Sequence, residues 1–333
     1  MQKKRTISIG GATYDLFVQT SSDVVQTRAG QKVFDLPLGA KIRVQNVVET
    51  CGGGASNTSV GLARLGCDAK FCGIIADDQW GQKLLENLRK EKVDTRCATI
   101  VEKEVSSFSL ILSASSGERT ILYEPGVNEH LHDANFSKEA LTQMDWVYLN
   151  HIQENSCIIQ DDIIEILTQK DAVHFTWNPG GHQMDAGTQE TENRALLAQT
   201  DLLLLNKEEA LRFTGEKTVE NALKHLRDIG VHIACVTDGG NGTIASDGTA
   251  LYHCPVMAGV HVVDTTGAGD AFGTGATWAL VQGMDLPNVL RAGTINAASV
   301  IGALGAQAGL LTETKMHERL KSAPIEVTVK SLA

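Results

Sequence analysis

Apolar residues along this chain follow two alternating patterns. Short continuous apolar runs, typical of buried strands, are predicted at 7–10, 70–74, 146–149, 173–177, 201–205 and 233–237. Between these runs apolar residues recur at helical spacing, which predicts amphipathic helices at 55–65, 80–91, 156–169, 191–198 and 219–229. Such alternation predicts an α/β fold whose central sheet is mainly parallel and carries helices on both faces.

Two segments interrupt this alternation. Residues 41–49 and 98–123 have the pattern of strands without intervening helices, and Gly117-Glu118 predicts a hairpin turn between 106–113 and 118–123. We expect a small β-sheet lid, formed by about residues 13–50 and 96–124, that projects from the α/β core. The apolar face of such a sheet needs a cover, from substrate or from a second subunit. An edge extension of the main sheet is the alternative.

Composition narrows the classes of partner. The 333 residues contain 42% apolar and 21% charged residues, as expected for a globular protein with a substantial core. A net charge of −11 provides no basic patch and argues against nucleic acid. No run approaches the length of a membrane span, and the start lacks the apolar stretch of a signal peptide, so we expect a cytoplasmic protein without a membrane partner.

Cysteines and histidines give no metal-binding pattern. Seven cysteines are scattered without a C-x-x-C pair, and ten histidines supply no H-E-x-x-H. A structural metal site is therefore not expected.

The segment 264–272, D-T-T-G-A-G-D-A-F, carries the most informative chemistry. A strand and a helix are predicted on its two sides, at 260–263 and at 271–282. Gly267, Ala268 and Gly269 then lie at a helix N-terminus, whose unpaired N–H groups favour an anion such as a phosphate. The carboxylate of Asp270 would repel that phosphate. Its presence is explained if it takes a proton from a hydroxyl that attacks the phosphate, so the segment predicts phosphoryl transfer. A glycine turn with a capping aspartate is the structural alternative.

These nine residues closely resemble the C-terminal signature of the ribokinase (PfkB) family of carbohydrate and nucleoside kinases. The order of motifs agrees with the family from residue 7 to about residue 311, which implies one kinase domain over 1–330 with the lid inserted in it. The resemblance further implies ATP as co-substrate, Mg²⁺, a sugar or nucleoside acceptor, and Asp270 as the general base. In the family the lid covers the sugar site and commonly forms a dimer interface, so a homodimer through the lid is expected.

The substrate side of the site rests on two motifs. Cys51-Gly-Gly-Gly-Ala-Ser-Asn57 matches the family's N-terminal signature G-G-x-x-x-N, which implies that Gly53, Gly54 and Asn57 contribute to the sugar site. Asp15 follows the first strand, where the family has an aspartate that accepts hydrogen bonds from substrate hydroxyls. A carboxylate suits a diol because it accepts two O–H donors.

The nucleotide side rests on two further motifs. Asn206 and Glu209 form the family's N-x-x-E, which implies placement of Mg²⁺ and phosphates, with Glu209 acting on Mg²⁺ through water. An Asn helix cap followed by Glu in the first turn is compatible with the same residues. Thr237, Gly239 and Gly242 match T-x-G-x-x-G, which implies contact with the ATP phosphates and ribose.

Asn296 lies in a small-residue helix predicted at 289–304, which in relatives walls the adenine pocket. The resemblance therefore implies an ATP-binding role for Asn296. It also implies a monovalent cation such as K⁺ near Asp264 and Thr266. Tight helix packing is the structural alternative for the small residues.

The acceptor is less well specified by the sequence. The signature reads Gly-Gly-Gly-Ala at 52–55, without the lysine that phosphosugar kinases of the family often carry, which favours a neutral sugar. A lid arginine could supply a cation instead, the candidates being Arg43, Arg96 and Arg119. A nucleoside is the second hypothesis and needs an aromatic shelf, for which Phe17, Phe108 and Tyr123 are candidates.

The sequence disfavours two other classes of protein. A sensor that binds sugar or nucleotide without turnover is disfavoured because Asp270 and the glycines are all present. A dinucleotide-dependent dehydrogenase is weaker still, because no G-x-G-x-x-G follows the first strand.

Overall fold

The computed structural model describes residues 3–114, 119–133, 138–153, 159–169 and 173–332. Its strands are β1 (Arg5–Ile9), β2 (Thr13–Thr20), β3 (Val25–Arg28), β4 (Gln31–Phe34), β5 (Asn46–Gly52), β6 (Asp68–Ala76), β7 (Asp94–Val101), β8 (Phe108–Ala114), β9 (Arg119–Glu124), β10 (Trp146–Leu149), β11 (His174–Trp177), β12 (Leu202–Asn206), β13 (Ile233–Thr237), β14 (Thr243–Ser246), β15 (Ala250–Cys254) and β16 (Thr328–Ser331). Its helices are α1 (Gly54–Arg64), α2 (Gln79–Lys90), α3 (Lys138–Thr142), α4 (Ile159–Gln169), α5 (Gly181–Ala186), α6 (Thr191–Ala198), α7 (Lys207–Thr214), α8 (Val219–Ile229), α9 (Ala268–Val281), α10 (Leu286–Val300) and α11 (Glu313–Ser322).

The central sheet is mainly parallel, as the sequence predicts. Ten of the described strands form it in the order β16-β15-β14-β13-β12-β11-β10-β1-β6-β7. Pairing is parallel from β7 to β13 and antiparallel from β13 to β16. From β1 the chain first builds the sheet on one side, through β6 and β7, and later on the other, from β10 onward. Ligands bind such sheets at the carboxyl ends of the strands near this switch point.

Helices cover both faces of the central sheet, which confirms the predicted layering. On β6, Phe71 and Ile75 pack in one buried cluster with α1 and α2, whereas Cys72 and Ile74 belong to the cluster on the opposite face. The first face also carries α9, α10 and α11, and the second carries α3 to α8. Burial on both faces explains why the strands are continuously apolar rather than alternating.

The small sheet exists as expected, with the strand order β5-β2-β8-β9. Its bounds differ from the predicted ones, because β7 pairs with β6 in the central sheet and residues 96–101 therefore belong to the core. Residues 41–45 precede β5 rather than form a strand, and β3 and β4 form a separate hairpin between β2 and β5. The predicted turn at Gly117 and Glu118 lies outside the described residues.

The strand predicted at 260–263 is wrong. These residues lie within the described range 173–332 and form no strand there; they run beside α10, with the N–H of Val263 donating to the carbonyl of Ile301 at 2.7 Å. Apolar residues at alternate positions produced the strand pattern, but Val260 and Val262 line a cavity instead of pairing in a sheet. The downstream helix also begins earlier than predicted, at Ala268.

Other boundaries shift by a few residues. The described part of the helix predicted at 156–169 begins at Ile159, and residues 156–158 lie outside the described ranges. The helix predicted at 289–304 ends at Val300. In the part of the chain that the structure describes, we find no helix that is both long and apolar enough to span a bilayer.

Helices α1 and α9 approach each other closely at Gly61. A Cβ built at Gly61 would lie 2.5 Å from Cγ2 of Thr274 on α9. Thr274 is fully buried, and its hydroxyl donates to the carbonyl of Asp270 at 2.6 Å, so it has little freedom to move away. Glycine at position 61 therefore sets the distance between the two helices.

We expect Gly61→Ala to destabilise the fold by about 1–3 kcal/mol, because the added methyl overpacks the contact between α1 and α9. Urea denaturation measures the change. Gly181→Ala is the matched control, since a Cβ at this helical glycine meets no described atom within 4 Å. Equal unfolding midpoints for wild type and Gly61→Ala would contradict this interpretation of the packing.

Candidate active site

Two adjoining cavities open at the carboxyl ends of β12 and β13. The larger has a volume of about 520 Å³ and the smaller about 220 Å³. Both are lined by the same five residues, Thr237, Thr265, Ala268, Gly269 and Phe272. They therefore form one continuous cleft that passes the first turn of α9.

The larger cavity has polar and apolar walls. Thr237, Gly239 and Gly242 line it, at the position where the sequence places the nucleotide. Gly242 has a φ of 87°, and a Cβ there would overlap the carbonyl of Cys254, so the tight turn after β13 requires glycine. The apolar wall consists of Val256, Met257, Val260, Val262, Ala297 and Ile301. This lining fits a ligand that has an apolar part and a polar part.

Asn296 does not contact the cleft, contrary to expectation. Its side chain is completely buried, its Nδ2 donates to the carbonyl of Ala271 at 2.8 Å, and its Oδ1 accepts from the N–H of Leu311 at 3.1 Å. Both polar groups are satisfied by main chain, as burial requires. Asn296 therefore joins α9 and α10 behind the cavity, while its neighbours Ala297 and Ala298 reach the wall.

The N-terminus of α9 is open to the smaller cavity. Gly267 precedes the helix with a left-handed φ of 74°, and a Cβ there would overlap the side chain of Ala306. Within the described residues no side chain caps this helix, and a Cβ built at Gly269 meets no atom within 4 Å. The N–H of Ala268 donates to the carbonyl of Thr265 at 3.3 Å. The turn thus presents uncapped amides and the positive end of a helix dipole to the cavity.

Asp270 lies in the first turn of α9 and lines the same cavity. Asn57 of α1 donates from Nδ2 to Asp270 Oδ2 at 2.8 Å, and Oδ1 of Asn57 accepts from Gln307 at 3.0 Å. We expected Asn57 to bind a substrate hydroxyl. Its amide bridges Gln307 and Asp270 and so orients the carboxylate, and the contact with a substrate hydroxyl stays a prediction.

The surroundings of Asp270 change its acidity. Burial raises the pKa of this carboxyl above its ordinary value, while the hydrogen bond from Asn57 and the attraction of His151 oppose that rise. A desolvated carboxylate with a raised pKa is the better proton acceptor near neutral pH.

Asp15 is buried on the small sheet. Burial raises its pKa to about 6, helped by repulsion from Asp264 and opposed by a hydrogen bond from Ser109. We call the face of the small sheet that carries Asp15 and Ser109 its inner face. Gly52 makes room for this carboxylate, because a Cβ at Gly52 would overlap Asp15 Oδ2.

Gly53 and Gly54, expected near the sugar, have packing roles in the structure. Gly53 has a φ of 89°, and a Cβ there would lie 2.6 Å from the Cα of Ala12. A Cβ at Gly54 would lie 3.1 Å from that of Asn150. These glycines hold the start of α1 against the segments that follow β1 and β10.

Asn206 and Glu209 form a reciprocal cap at the start of α7. The N–H of Glu209 donates to Asn206 Oδ1 at 2.9 Å, and the N–H of Asn206 donates to Glu209 Oε2 at 2.8 Å. Both residues also line the smaller cavity. No cluster of three or more His, Cys, Asp or Glu that could hold a metal is found among the described residues. An exposed amide and carboxylate at the wall fit Mg²⁺ held mainly by phosphates and water.

The residues around Asp264 do not fit a monovalent cation. Its Oδ1 accepts from the N–H and hydroxyl of Thr266 at 3.0 and 2.8 Å, and its Oδ2 accepts from the N–H of Gly305 at 3.1 Å. Arg119 from β9 adds an ion pair at 2.8 Å. A guanidinium on this carboxylate repels a second cation, which corrects the expectation of a K⁺ site at Asp264 and Thr266.

The other lid candidates lie in different places. Arg96 pairs with Asp94 on the edge of the central sheet, and Arg43 lies in the exposed segment before β5. Phe108 belongs to a stack with Trp80, at 5.3 Å between ring centroids, and so is already covered. Tyr123 pairs with Ser109 across the strands, which places it on the inner face with its ring half exposed.

Sequence reasoning did not single out His151, Gln307 or Gly52. His151 follows β10 and lines the smaller cavity beside Asp270. His151 lies two positions after the apolar strand β10. Because ligands bind at the carboxyl ends of parallel strands, this position could have identified it, as it did Asn206. Gln307 acts through Asn57, a contact over 250 positions that no local pattern reveals.

Comparison with known proteins agrees with this geometry. The model of the pfkB family carbohydrate kinases matches residues 22–313. Ribokinase of Bacillus subtilis is 29% identical over 314 residues, which cover 94% of this chain and 98% of that protein. The structure of Arabidopsis thaliana ribokinase complexed with ribose and ATP superposes with a TM-score of 0.80 at 22% identity, covering 97% of this chain and all of that one. A Burkholderia thailandensis nucleoside kinase in complex with inosine gives 0.77 at 17% identity, with coverage of 96% and 98%.

The match to the family model identifies a phosphotransferase with an alcohol group as acceptor. The family match covers most of the chain, and the chain belongs to the pfkB family of carbohydrate kinases.

We expect Asp15→Asn to stabilise the protein at neutral pH. The folded-state pKa of about 6 lies above the ordinary value, so the stability carried by the neutral carboxyl is present in full below about pH 4 and is lost as the pH rises through 6. The shift corresponds to about 3 kcal/mol. Thermal denaturation should give the variant a higher melting temperature at pH 7.5, with the difference shrinking toward pH 4.

Asp23→Asn, at an exposed carboxylate, is the control and should change little. A melting temperature of Asp15→Asn at or below that of wild type throughout this pH range would contradict the buried charge.

Proposed function

We propose that this protein transfers the γ-phosphoryl group of ATP to a hydroxyl of a small neutral sugar. The observation that carries the proposal is the position of Asp270 beside the uncapped amides of α9, oriented by Asn57 at 2.8 Å. A carboxylate at this helix terminus repels a bound phosphate, so its presence is best explained by a chemical task. Proton removal from the attacking hydroxyl is that task.

Each residue of the site has a defined action in this proposal. Asp270 accepts the proton of the acceptor hydroxyl as that oxygen attacks phosphorus in line with the departing ADP. The amides of Gly267 and Gly269 donate to the oxygens of the transferring group, where negative charge is concentrated. Asp15 accepts hydrogen bonds from other acceptor hydroxyls, which fixes the orientation of the sugar.

The larger cavity takes the nucleotide. Its apolar wall suits adenine, and Thr237, Gly239 and Gly242 lie along the path from the base to α9. Asn206 and Glu209 would hold Mg²⁺ through water, and the ion would supply neutralisation of the phosphate charge. A monovalent cation is not part of the proposal, because Arg119 already pairs with Asp264. Because ATP is the phosphoryl donor, we propose that the reaction takes place in the cytoplasm.

A neutral sugar is favoured over a phosphosugar because two of the three candidate arginines, Arg96 and Arg119, are engaged in ion pairs. Arg119 pairs with Asp264, and Arg96 pairs with Asp94. A nucleoside is the second candidate, supported by the half-exposed ring of Tyr123 on the inner face, where it is available to stack on a base.

The small sheet has a second, outer face that is apolar. We define this outer face by six residues at alternate positions, namely Leu16, Val18, Val47, Leu110, Leu112 and Leu122. Val47 and Leu122 are about half exposed in the single chain. An uncovered apolar sheet face favours a partner, and we propose that two copies of the chain pair through it as a homodimer.

Turnover is tested by ADP release with Mg-ATP against neutral sugars, sugar phosphates and nucleosides. We expect the highest rate with a neutral sugar, and a loss of at least about 10²–10⁴-fold in Asp270→Asn because the general base is gone. Asp161→Asn, at an exposed carboxylate on α4, should keep full activity. Rates confined to nucleosides would favour the second candidate, and equal rates for wild type and Asp270→Asn would refute the mechanism.

Leu122→Glu should convert the dimer to a monomer, because a carboxylate cannot be buried unpaired in an apolar interface. Light scattering after size exclusion measures the mass. Val329→Glu is the matched control, at an equally exposed valine on strand β16 outside the small sheet. A monomeric wild type, or a dimeric Leu122→Glu, would exclude this interface.

A further inference from the structure

Arg119 links the small sheet to the turn that precedes the anion-binding amides. It is the first residue of β9, and its Nη1 donates to Asp264 Oδ1 at 2.8 Å while its Nη2 donates to the hydroxyl of Thr265 at 3.0 Å. The guanidinium thus holds two successive residues of one turn. Lysine has a single compact charge and could not bridge them in the same way.

Asp264 in turn organises the loop before α9. Its carboxylate accepts from both donors of Thr266 and from the N–H of Gly305. It therefore fixes the backbone one residue before Gly267 and joins it to the loop after α10. The positions of the uncapped amides at Gly267 and Gly269 therefore depend on the carboxylate of Asp264.

A cation beside Asp264 lowers the cost of burying its charge. Its side chain is 4% exposed, and the carboxylate of Asp15 repels it. Uncharged N–H and O–H donors lower the cost of burying the charge but do not balance it. Among the described residues, Arg119 is the cationic side chain that pairs with Asp264. Its own side chain is 39% exposed, so the guanidinium joins this buried carboxylate to the protein surface.

We propose that Arg119 is the resident cation of the Asp264 turn, where it takes the place of a monovalent metal ion and positions the amides of Gly267 and Gly269. This inference rests on the proposed kinase function. Because Arg119 belongs to the small sheet, the sheet that carries Asp15 also completes the phosphate-binding turn. Closure over the acceptor and ordering of the turn are then one event, which limits transfer of phosphate to water.

The test compares wild type, Arg119→Gln, Arg119→Lys and the control Arg96→Gln in K⁺ and in tetramethylammonium. At equal ionic strength the wild-type rate should change by less than about twofold between the two cations. Arg119→Gln should lose about 10- to 100-fold in kcat in tetramethylammonium, the scale of a lost charge-assisted hydrogen bond, with smaller changes in KM. K⁺ should restore part of this loss. Arg119→Lys should retain more activity than Arg119→Gln and respond little to K⁺, and Arg96→Gln should behave as wild type.

A second readout is independent of turnover. The melting temperature of Arg119→Gln should rise in K⁺ relative to tetramethylammonium, because the vacated carboxylate binds the ion, whereas wild type should not shift. Strong K⁺ activation or K⁺ stabilisation of wild type would overturn the inference, as would full activity of Arg119→Gln. If Arg119→Gln loses activity and K⁺ does not restore it, Arg119 has a structural role and the inference is wrong. A wild type without turnover on any acceptor would refute the proposed function, and the melting comparison would still decide this inference.

Discussion

The close packing of α1 against α9 is the constraint on which the site depends. The two helices come from segments more than 200 positions apart, yet Asn57 on one lies 2.8 Å from Asp270 on the other. Gly61 and Thr274 set that distance one turn further along each helix. Since both side chains project from rigid helices rather than loops, the geometry of the carboxylate is determined before any ligand arrives.

Three buried or half-buried carboxylates carry the account in a protein of net charge −11, and each has different hydrogen-bond partners. Asp270 receives an amide donor, Asp264 receives main-chain donors and a guanidinium, and Asp15 receives the hydroxyl of Ser109. Burial raises the pKa of Asp15 and of Asp270. Such desolvated carboxylates are the groups that a phosphotransferase uses to accept protons and hydrogen bonds from an alcohol.

The sequence predicted what local patterns encode. Continuous apolar runs located the parallel strands, and glycine placement located the start of α9, because these signals arise within a few residues. The prediction of a strand at 260–263 was wrong because apolar residues at alternate positions can also line a cavity, as Val260 and Val262 do. The motif assigned Asn296 to the nucleotide site. Its side chain points away from the cavity, and the sequence of a helix does not show this direction. The bonds of Arg119 to Asp264 and of Gln307 to Asn57 join distant segments, and only the folded chain shows them.

The central claim is that Asp270 directs a phosphoryl group to an alcohol and not to water. Phosphorus NMR of the complete reaction, with Mg-ATP and the acceptor that supports turnover, tests it directly. The account predicts a phosphate monoester resonance that grows in step with ADP, without inorganic phosphate. Inorganic phosphate in place of the monoester would show that water is the acceptor and would contradict the account.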